Sequence, residues 1–343
     1  METSLLQKYT KIAGAVGLYW AISISLVFVN KSLLKGDELK LDAPLFVTFY
    51  QCVCTVIMCK ICDLLAQKFP SKVSFPSTKV ETQKCRDVLP LSLVFVAMIA
   101  FNNLCLQEVG VAFYTVARSL VTIFSLLFTY LILGKTTSCK AILCCSVIVG
   151  GFFLGVNQEG DLGSLSVIGT FYGVIASACV ALNSIFTKKV LPKVDDDIWK
   201  LTYYNNINAC LIFIPLMIVT GEFGTLANFP FLYSSKFWIP MTVAGAFGFT
   251  MGYVVGLQIQ CTSPITHNIS GVAKACCQTV VAVMIFSEVK TALWWLSNFL
   301  VLAGTGSYAL VKSIEMKQAH VQQQQEASKE DKQKLIESDD EKS

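Results

Sequence analysis

The sequence predicts an all-α integral membrane protein of ten transmembrane helices arranged as a 5+5 inverted repeat. Three observations carry that expectation. Hydrophobic residues make up 54% of the 343-residue chain and charged residues 15%, with a mean hydropathy of +0.59, whereas a soluble globule carries roughly 25% charged residues. Apolar runs of about 18 to 25 residues recur, each long enough to span the hydrocarbon. One ungapped offset relates the first five runs to the last five.

The runs are Ala13 to Leu34, Pro44 to Leu65, Val88 to Leu106, Val111 to Leu133, Cys139 to Val156, Val167 to Phe186, Trp199 to Val219, Phe237 to Gln258, Pro264 to Phe286, and Ala292 to Lys312. The first lacks a cleavage site and is long enough to cross, so it is expected to be retained as a membrane helix and not removed as a signal peptide. Orientation follows the excess of Lys and Arg in cytoplasmic loops. Lys8 and Lys11, then Lys68, Lys72, Lys79, Lys84 and Arg86, then Lys135 and Lys140, then Lys188, Lys189, Lys193 and Lys200, and finally Lys312 and Lys317 all fall on one side. The other side holds Glu108, Glu159, Asp161 and Glu222, partly offset by Lys35 and Lys40. Both termini are therefore expected in the cytosol.

An offset of 153 residues, the separation of Tyr19 from Tyr172, also pairs Asn30 with Asn183, Lys35 with Lys188, Asp42 with Asp195, Tyr50 with Tyr203, Gln107 with Gln260 and Gly151 with Gly304. A unit with an odd number of spans inserts its copy upside down, which places a binding site near the midplane on the pseudo-two-fold axis. The expected units are residues 1–160 and 161–317. The polar stretch 318–343, with Gln322 to Gln325 and a Ser-Asp-Asp-Glu-Lys-Ser end, has little apolar surface to bury and is expected to be a cytosolic tail, disordered or a frayed helix.

Several functions are excluded at this level. The net charge of +4 is dispersed through loops, which is not the basic stripe of a nucleic-acid binder. Most of the 14 cysteines fall inside apolar runs as small hydrophobes, and His267 and His320 are the two histidines, so neither a disulfide framework nor a zinc site is expected. The chain has no nucleophile elbow, phosphate-binding Gly-rich loop, His-Glu-x-x-His or embedded Asp pair, so no enzyme and no cofactor is expected.

The ninth run carries the chemistry. Lys274 lies about 15 Å into it, near the midplane, where an ammonium costs about 2.5 kcal/mol or more. It must face a watery cavity and an anion. His267, Ser270, Gly271, Lys274 and Gln278 recur at helical spacing on one face, with Gly271 leaving room for a ligand or a neighbouring helix. No Asp or Glu lies deep in any run, so the expected anion is an external one. Tyr114, Arg118, Thr122, Ser125 and Thr129 form a second stripe in the fourth run. The offset sets Arg118 opposite Gly271, and two cations suit a diphosphate, although Arg118 packed on helix-end carbonyls or snorkelling fits the pattern too. In the seventh run Tyr203-Tyr204-Asn205-Asn206, then Asn208, set rings beside amides able to read a base edge. The same residues also suit an interfacial tyrosine belt with amides as helix glue. Tyr19, Ser23 and Asn30 share a face of the first run, while Asn102 and Asn103 read as glue between helices.

These motifs resemble the nucleotide-sugar transporters of the drug/metabolite transporter superfamily over essentially all ten runs. The resemblance rests on Leu201-Thr-Tyr-Tyr-Asn-Asn and Thr266-His-Asn-Ile-Ser-Gly-Val-Ala-Lys-Ala-Cys, supported by Phe28-Val-Asn-Lys, Ala43-Pro-Leu-Phe and Ala292-Leu-Trp-Trp. GDP-mannose carriers have Phe-Tyr-Asn-Asn at the guanine and Gly-Ala-Leu-Asn-Lys at the sugar and phosphate. The resemblance thus implies guanine contact by Tyr204, Asn205 and Asn206, and sugar or phosphate contact by Gly271 and Lys274. Arg118, Tyr114, Tyr19, Asn30 and His267 are further candidates. The second motif is one residue shorter here and lacks its Asn, which matches the Gly-x-x-Lys form of the GDP-fucose-carrying branch. That branch implies exchange of GDP-fucose for GMP by alternating access in a Golgi membrane, with the endoplasmic reticulum as the other location. The lipid bilayer is the remaining expected partner, and a homodimer is admitted. A carrier of GDP-mannose, a UDP-sugar or another phosphorylated metabolite shares the fold and the lysine. A multidrug or amine exporter would need a buried carboxylate, and a membrane-embedded receptor or structural protein would show no flux.

Overall fold

A computed structural model describes residues 5–35, 41, 43–108, 111–157, 167–285 and 292–340; among the side chains outside the described set are those of residues 26–35, 106–119, 278–285 and 323–340. The described residues form helices α1 (Leu5–Lys35), α2 (Pro44–Lys68), α3 (Thr82–Glu108), α4 (Val111–Leu133), α5 (Cys139–Asn157), α6 (Val167–Val190), α7 (Ile198–Thr220), α8 (Glu222–Ala227), α9 (Ser235–Cys261), α10 (Pro264–Ile285) and α11 (Ala292–Asp340). A 3-10 turn, Leu191–Val194, joins α6 to α7. Among the described residues, five segments are long and apolar enough to cross a membrane: Pro44–Lys68, Thr82–Cys105, Phe171–Val194, Ile198–Thr220 and Ser235–Cys261. Leu120–Leu133 and Cys139–Gly151 are shorter apolar helices.

Local chemistry sets the helix ends. Asp197 caps α7, its carboxylate accepting the N–H groups of Trp199 and Lys200 at 2.8 and 3.2 Å. Gly221 closes α7 in the left-handed region at φ 75°, and its N–H donates to the carbonyls of Met217 and Ile218. The next residue, Glu222, is buried and accepts the N–H groups of Leu45 and Phe46 at 3.0 and 2.7 Å. A carboxylate from the second half of the chain thus occupies the positive end of α2.

The helices pair in a definite pattern. α5 lies along α11, α3 along α6, α1 along α9 and α2 along α7; α2 also packs on α9, α3 on α7, and α4 on α5, α6 and α10. Phe46, Phe213, Met217, Phe237 and Met241 join α2, α7 and α9 in one core cluster. Nearer the far end of α2, Cys59, Val88, Val194, Ile198, Tyr203 and Tyr204 form a second. Ile148, Ile269, Val301 and Tyr308 tie α5, α10 and α11 in a third. The α2–α3 connection spans residues 69–81. It is pinned by Asp63, whose buried carboxylate accepts the Thr78 N–H at 2.9 Å and the Thr78 hydroxyl at 2.6 Å.

Up to Asp340 the tail continues α11 as one 49-residue helix. Ala, Gln, Glu and Lys dominate it, and these are strong helix formers that need no apolar partner to extend an existing helix.

Candidate functional site

A cavity of about 450 Å³ opens between the first two core clusters, lined by α1, α2, α3, α6, α7, α9 and α10. Its polar wall consists of uncharged groups: Thr48, Gln51, Asn102, Asn183, Ser184, Thr187, Thr202, Asn205, Asn206, His267 and Asn268. Among the described lining residues there is no Lys, Arg, Asp or Glu. Glycines 248, 252 and 256 of α9 form part of the floor. Such a chamber supplies several donor–acceptor pairs in fixed positions between apolar side chains, the chemistry that recognises a neutral, planar, polar-edged group.

The seventh-helix motif contributes unevenly. Asn205 and Asn206 line the cavity. Asn205 accepts from the Ser92 hydroxyl at 2.9 Å through Oδ1, and Asn206 donates to the Thr202 carbonyl at 2.8 Å. Tyr204, expected beside the ligand, is 1% exposed and does not appear in the cavity wall. Its hydroxyl turns away and donates to the Lys79 carbonyl at 2.7 Å. One residue along a helix is a rotation of about 100°, so adjacent motif positions cannot all face one cavity. Asn208 likewise turns to α3 and donates to the Cys85 carbonyl at 2.8 Å.

On α10, His267 and Asn268 reach the cavity, while Gly271 and Lys274 lie beyond its wall. Tyr19 stands at that border. Its ring meets His267 edge-on with centroids 5.1 Å apart, and the Lys274 ammonium lies over the ring 5.4 Å from its centroid. Lys274 also donates to the Ser23 hydroxyl. The Tyr19 hydroxyl sits 3.3 Å from where a side-chain carbon at Gly271 would stand, so glycine there makes room for the ring. Residues 19, 23, 267, 271 and 274 therefore converge. The fourth-helix stripe also faces inward: Thr122 and Ser125 are fully buried, and Asn268 donates to Ser125 at 2.7 Å and to Ser184 at 2.8 Å. The side chains of Asn30, Tyr114 and Arg118 lie outside the described residues.

The sequence profile of the Triose-phosphate Transporter family matches residues 10–309. The chain belongs to the Triose-phosphate Transporter family. Within that family of membrane transporters its relatives include GDP-fucose transporter 1 of Nematostella vectensis, 55% identical over 97% of both chains. GDP-fucose transporter 1 of Mus musculus is 56% identical, covering 89% of this chain and 84% of that one. The Golgi GDP-fucose transporter of Drosophila melanogaster is 46% identical, covering 93% and 95%. One solved crystal structure, described only as that of a protein, superposes with a TM-score of 0.64 over 90% of this chain and 98% of the other at 10% identity. That likeness concerns the fold.

Several cavity residues escaped the reading of the sequence. Asn102, taken as helix glue, lines the cavity while its amide donates to the Met98 carbonyl at 2.7 Å. Asn183 lines it as well, and a signal for it existed, since the 153-residue offset pairs it with Asn30. Gln258, outside the cavity wall, left no such trace. It is buried on α9 and sits 3.0 Å from the His267 Nδ1, a contact no spacing rule reaches.

Proposed function

We propose that this chain is a GDP-fucose:GMP antiporter that carries GDP-fucose from the cytosol into the Golgi lumen by alternating access of two five-helix units. The observation that carries the reading is an amide-lined cavity holding Asn205 and Asn206 in a chain 55% identical, end to end, to a GDP-fucose transporter. Guanine enters this chamber, its edge met by the two amides, with Tyr204 supporting them from behind. The diphosphate extends past Tyr19 to Lys274, joined by Arg118, with fucose beside Gly271. Tyr114, Asn30 and His267 complete the path. A phosphate reaching Lys274 exchanges a hydroxyl contact for charge-assisted hydrogen bonds. A bound nucleotide therefore stabilises the ammonium as the site switches sides, which favours exchange of GDP-fucose for returning GMP.

Two features support the inverted repeat. The helix pairing is preserved when the halves are exchanged: α3·α6 goes with α1·α9, α2·α9 with α7·α3, and α4·α5 with α10·α11. Gly151 and Gly304, related by the offset, face each other's helix. A carbon added at Gly151 meets Leu300 and Ser297 of α11 at 3.0 Å, and one at Gly304 meets Ile148 of α5 at 2.8 Å. Among the described residues the pattern departs from symmetry around α6, on which α4, α10 and α9 pack more broadly than α10, α4 and α3 pack on α1. Unequal seams are what rocking between two access states requires. The lysine-rich face, with both termini, is cytosolic in this reading.

Reconstitution tests it. Purified protein in GMP-loaded vesicles takes up labelled GDP-fucose, GMP outside competes while UMP and inorganic phosphate do not, and Lys274→Ala reduces uptake to background. Normal exchange by that variant, or equal competition by UMP, overturns the assignment.

A further inference from the structure

Tyr204 belongs to the motif proposed to read the ligand, yet it does not line the cavity and its hydroxyl donates to the Lys79 carbonyl. We propose that Tyr204 is a positioning residue that latches the strap of residues 69–81 to the ligand-reading turn of α7, coupling cavity occupancy to closure of the strap-bearing face. The proposal rests on the nucleotide reading above and adds to it a second, mechanical role for the motif.

The strap depends on side chains for its placement, because residues 73–81 form neither helix nor strand. Its end is held from two directions. From α2, Asp63 accepts the Thr78 N–H and hydroxyl at 2.9 and 2.6 Å, and Lys60 donates to the Thr78 carbonyl. From α7, Tyr204 donates to the next carbonyl, that of Lys79, at 2.7 Å. α2 and the strap belong to the first half of the chain and α7 to the second, so this hydrogen bond crosses the seam between the units.

The same turn of α7 is bonded to α3, into which the strap leads. Asn205 accepts from Ser92 at 2.9 Å and Asn208 donates to the Cys85 carbonyl at 2.8 Å. Asn205 is thus shared between α3 and the cavity. A ligand that takes the Asn205 amide competes with Ser92 and alters how α7 sits against α3. A helix moves as a unit, so Tyr204, one residue away, transmits that displacement to the strap. The ring and the hydroxyl have separable roles. The ring is part of the second core cluster, where phenylalanine packs equally well, and only the hydroxyl reaches Lys79.

Tyr204→Phe therefore isolates the latch in the full-length protein. Lys72 and Lys79 are exposed tryptic sites within the strap, and cleavage there reports its opening, while equilibrium binding of GMP reports the cavity. In the wild type, saturating GMP slows strap cleavage about fivefold. In Tyr204→Phe the GMP Kd stays within about threefold, strap cleavage is faster without ligand, and the GMP-dependent protection is lost. Asn205→Ala behaves in the opposite way, losing GMP affinity first. A purely packing role for Tyr204 leaves the protection intact, because Phe preserves packing. Retained protection in Tyr204→Phe, affinity lost in parallel with protection, or no GMP-dependent protection in a wild type that binds GMP overturns the latch. If the wild type binds neither GMP nor GDP-fucose, the nucleotide reading falls by itself and the ligand-free proteins decide the latch. Faster cleavage of Tyr204→Phe confined to the strap supports it, and cleavage equal to wild type overturns it.

Discussion

Single side chains decide where the cavity ends and the cation begins. Tyr19 separates the amide-lined chamber from Lys274, and Gly271 gives its hydroxyl room. A methyl at position 271 presses on that hydroxyl at 3.3 Å, so Gly271→Ala is expected to slow exchange several-fold, and Tyr19→Phe, which removes the contacting atom, to restore part of the loss. A double-mutant cycle on initial uptake rates reads the coupling, and strict additivity refutes it. The amides make a sharper case. Asn205 and Asn206 each offer a donor and an acceptor, and losing a paired set costs about 1–3 kcal/mol. Replacing either by Ala is expected to weaken GMP binding about 10- to 100-fold at unchanged thermal stability, measured by titration calorimetry. Lys274 was legible because a charge in an apolar run breaks the pattern. Asn102 and Gln258 were not, because an amide in a membrane helix has the same composition whether it holds helices together or holds a ligand.

At the scale of elements, α9 is a close-approach helix. A carbon at Gly245 would stand 2.6 Å from Cys54 on α2, and carbons at Gly252 and Gly256 would stand 2.9 and 2.6 Å from Thr202 and Ile198 on α7. Gly245→Ala is expected to cost about 1–3 kcal/mol by overpacking, read as a fall in thermal midpoint in detergent. Gly306→Ala, where nothing lies within 4 Å, serves as the control and is expected to be neutral or slightly stabilising. The α6–α7 turn has a different sensitivity. Hydrogen bonds from Lys200 and Lys84, 2.6 and 3.2 Å from Asp195, hold its carboxyl below the usual carboxylate range. A depressed folded value stabilises above the unfolded pKa of about 3.9 and is lost as pH falls through the folded one. Protection of this turn against proteolysis should therefore be flat from pH 8 to 5 and decline only below about pH 4, with Asp195→Asn removing that dependence. The tail belongs to this scale as well. Its continuation of α11 fits a helix propensity that matters little in an isolated segment and more once a long helix already supplies the nucleus.

For the whole molecule, the proposed inverted repeat fixes an even number of spans and puts both termini on one side. In sealed, right-side-out Golgi vesicles, tags at both termini are expected to be open to cytosolic protease without permeabilisation; protection of either refutes the even-span topology. Membrane embedding and the helical class were readable from the chain, since each depends on composition or spacing along it. The tertiary structure decided which polar residues share the cavity, that Tyr204 serves the strap and not the chamber, and that Glu222 anchors α2 from 176 residues beyond Phe46. Hydrophobic periodicity states how far a residue sits along and around its own helix. It carries no information on the rotation of one helix against another, and that rotation determines whether an amide meets a ligand, a neighbour or a backbone carbonyl.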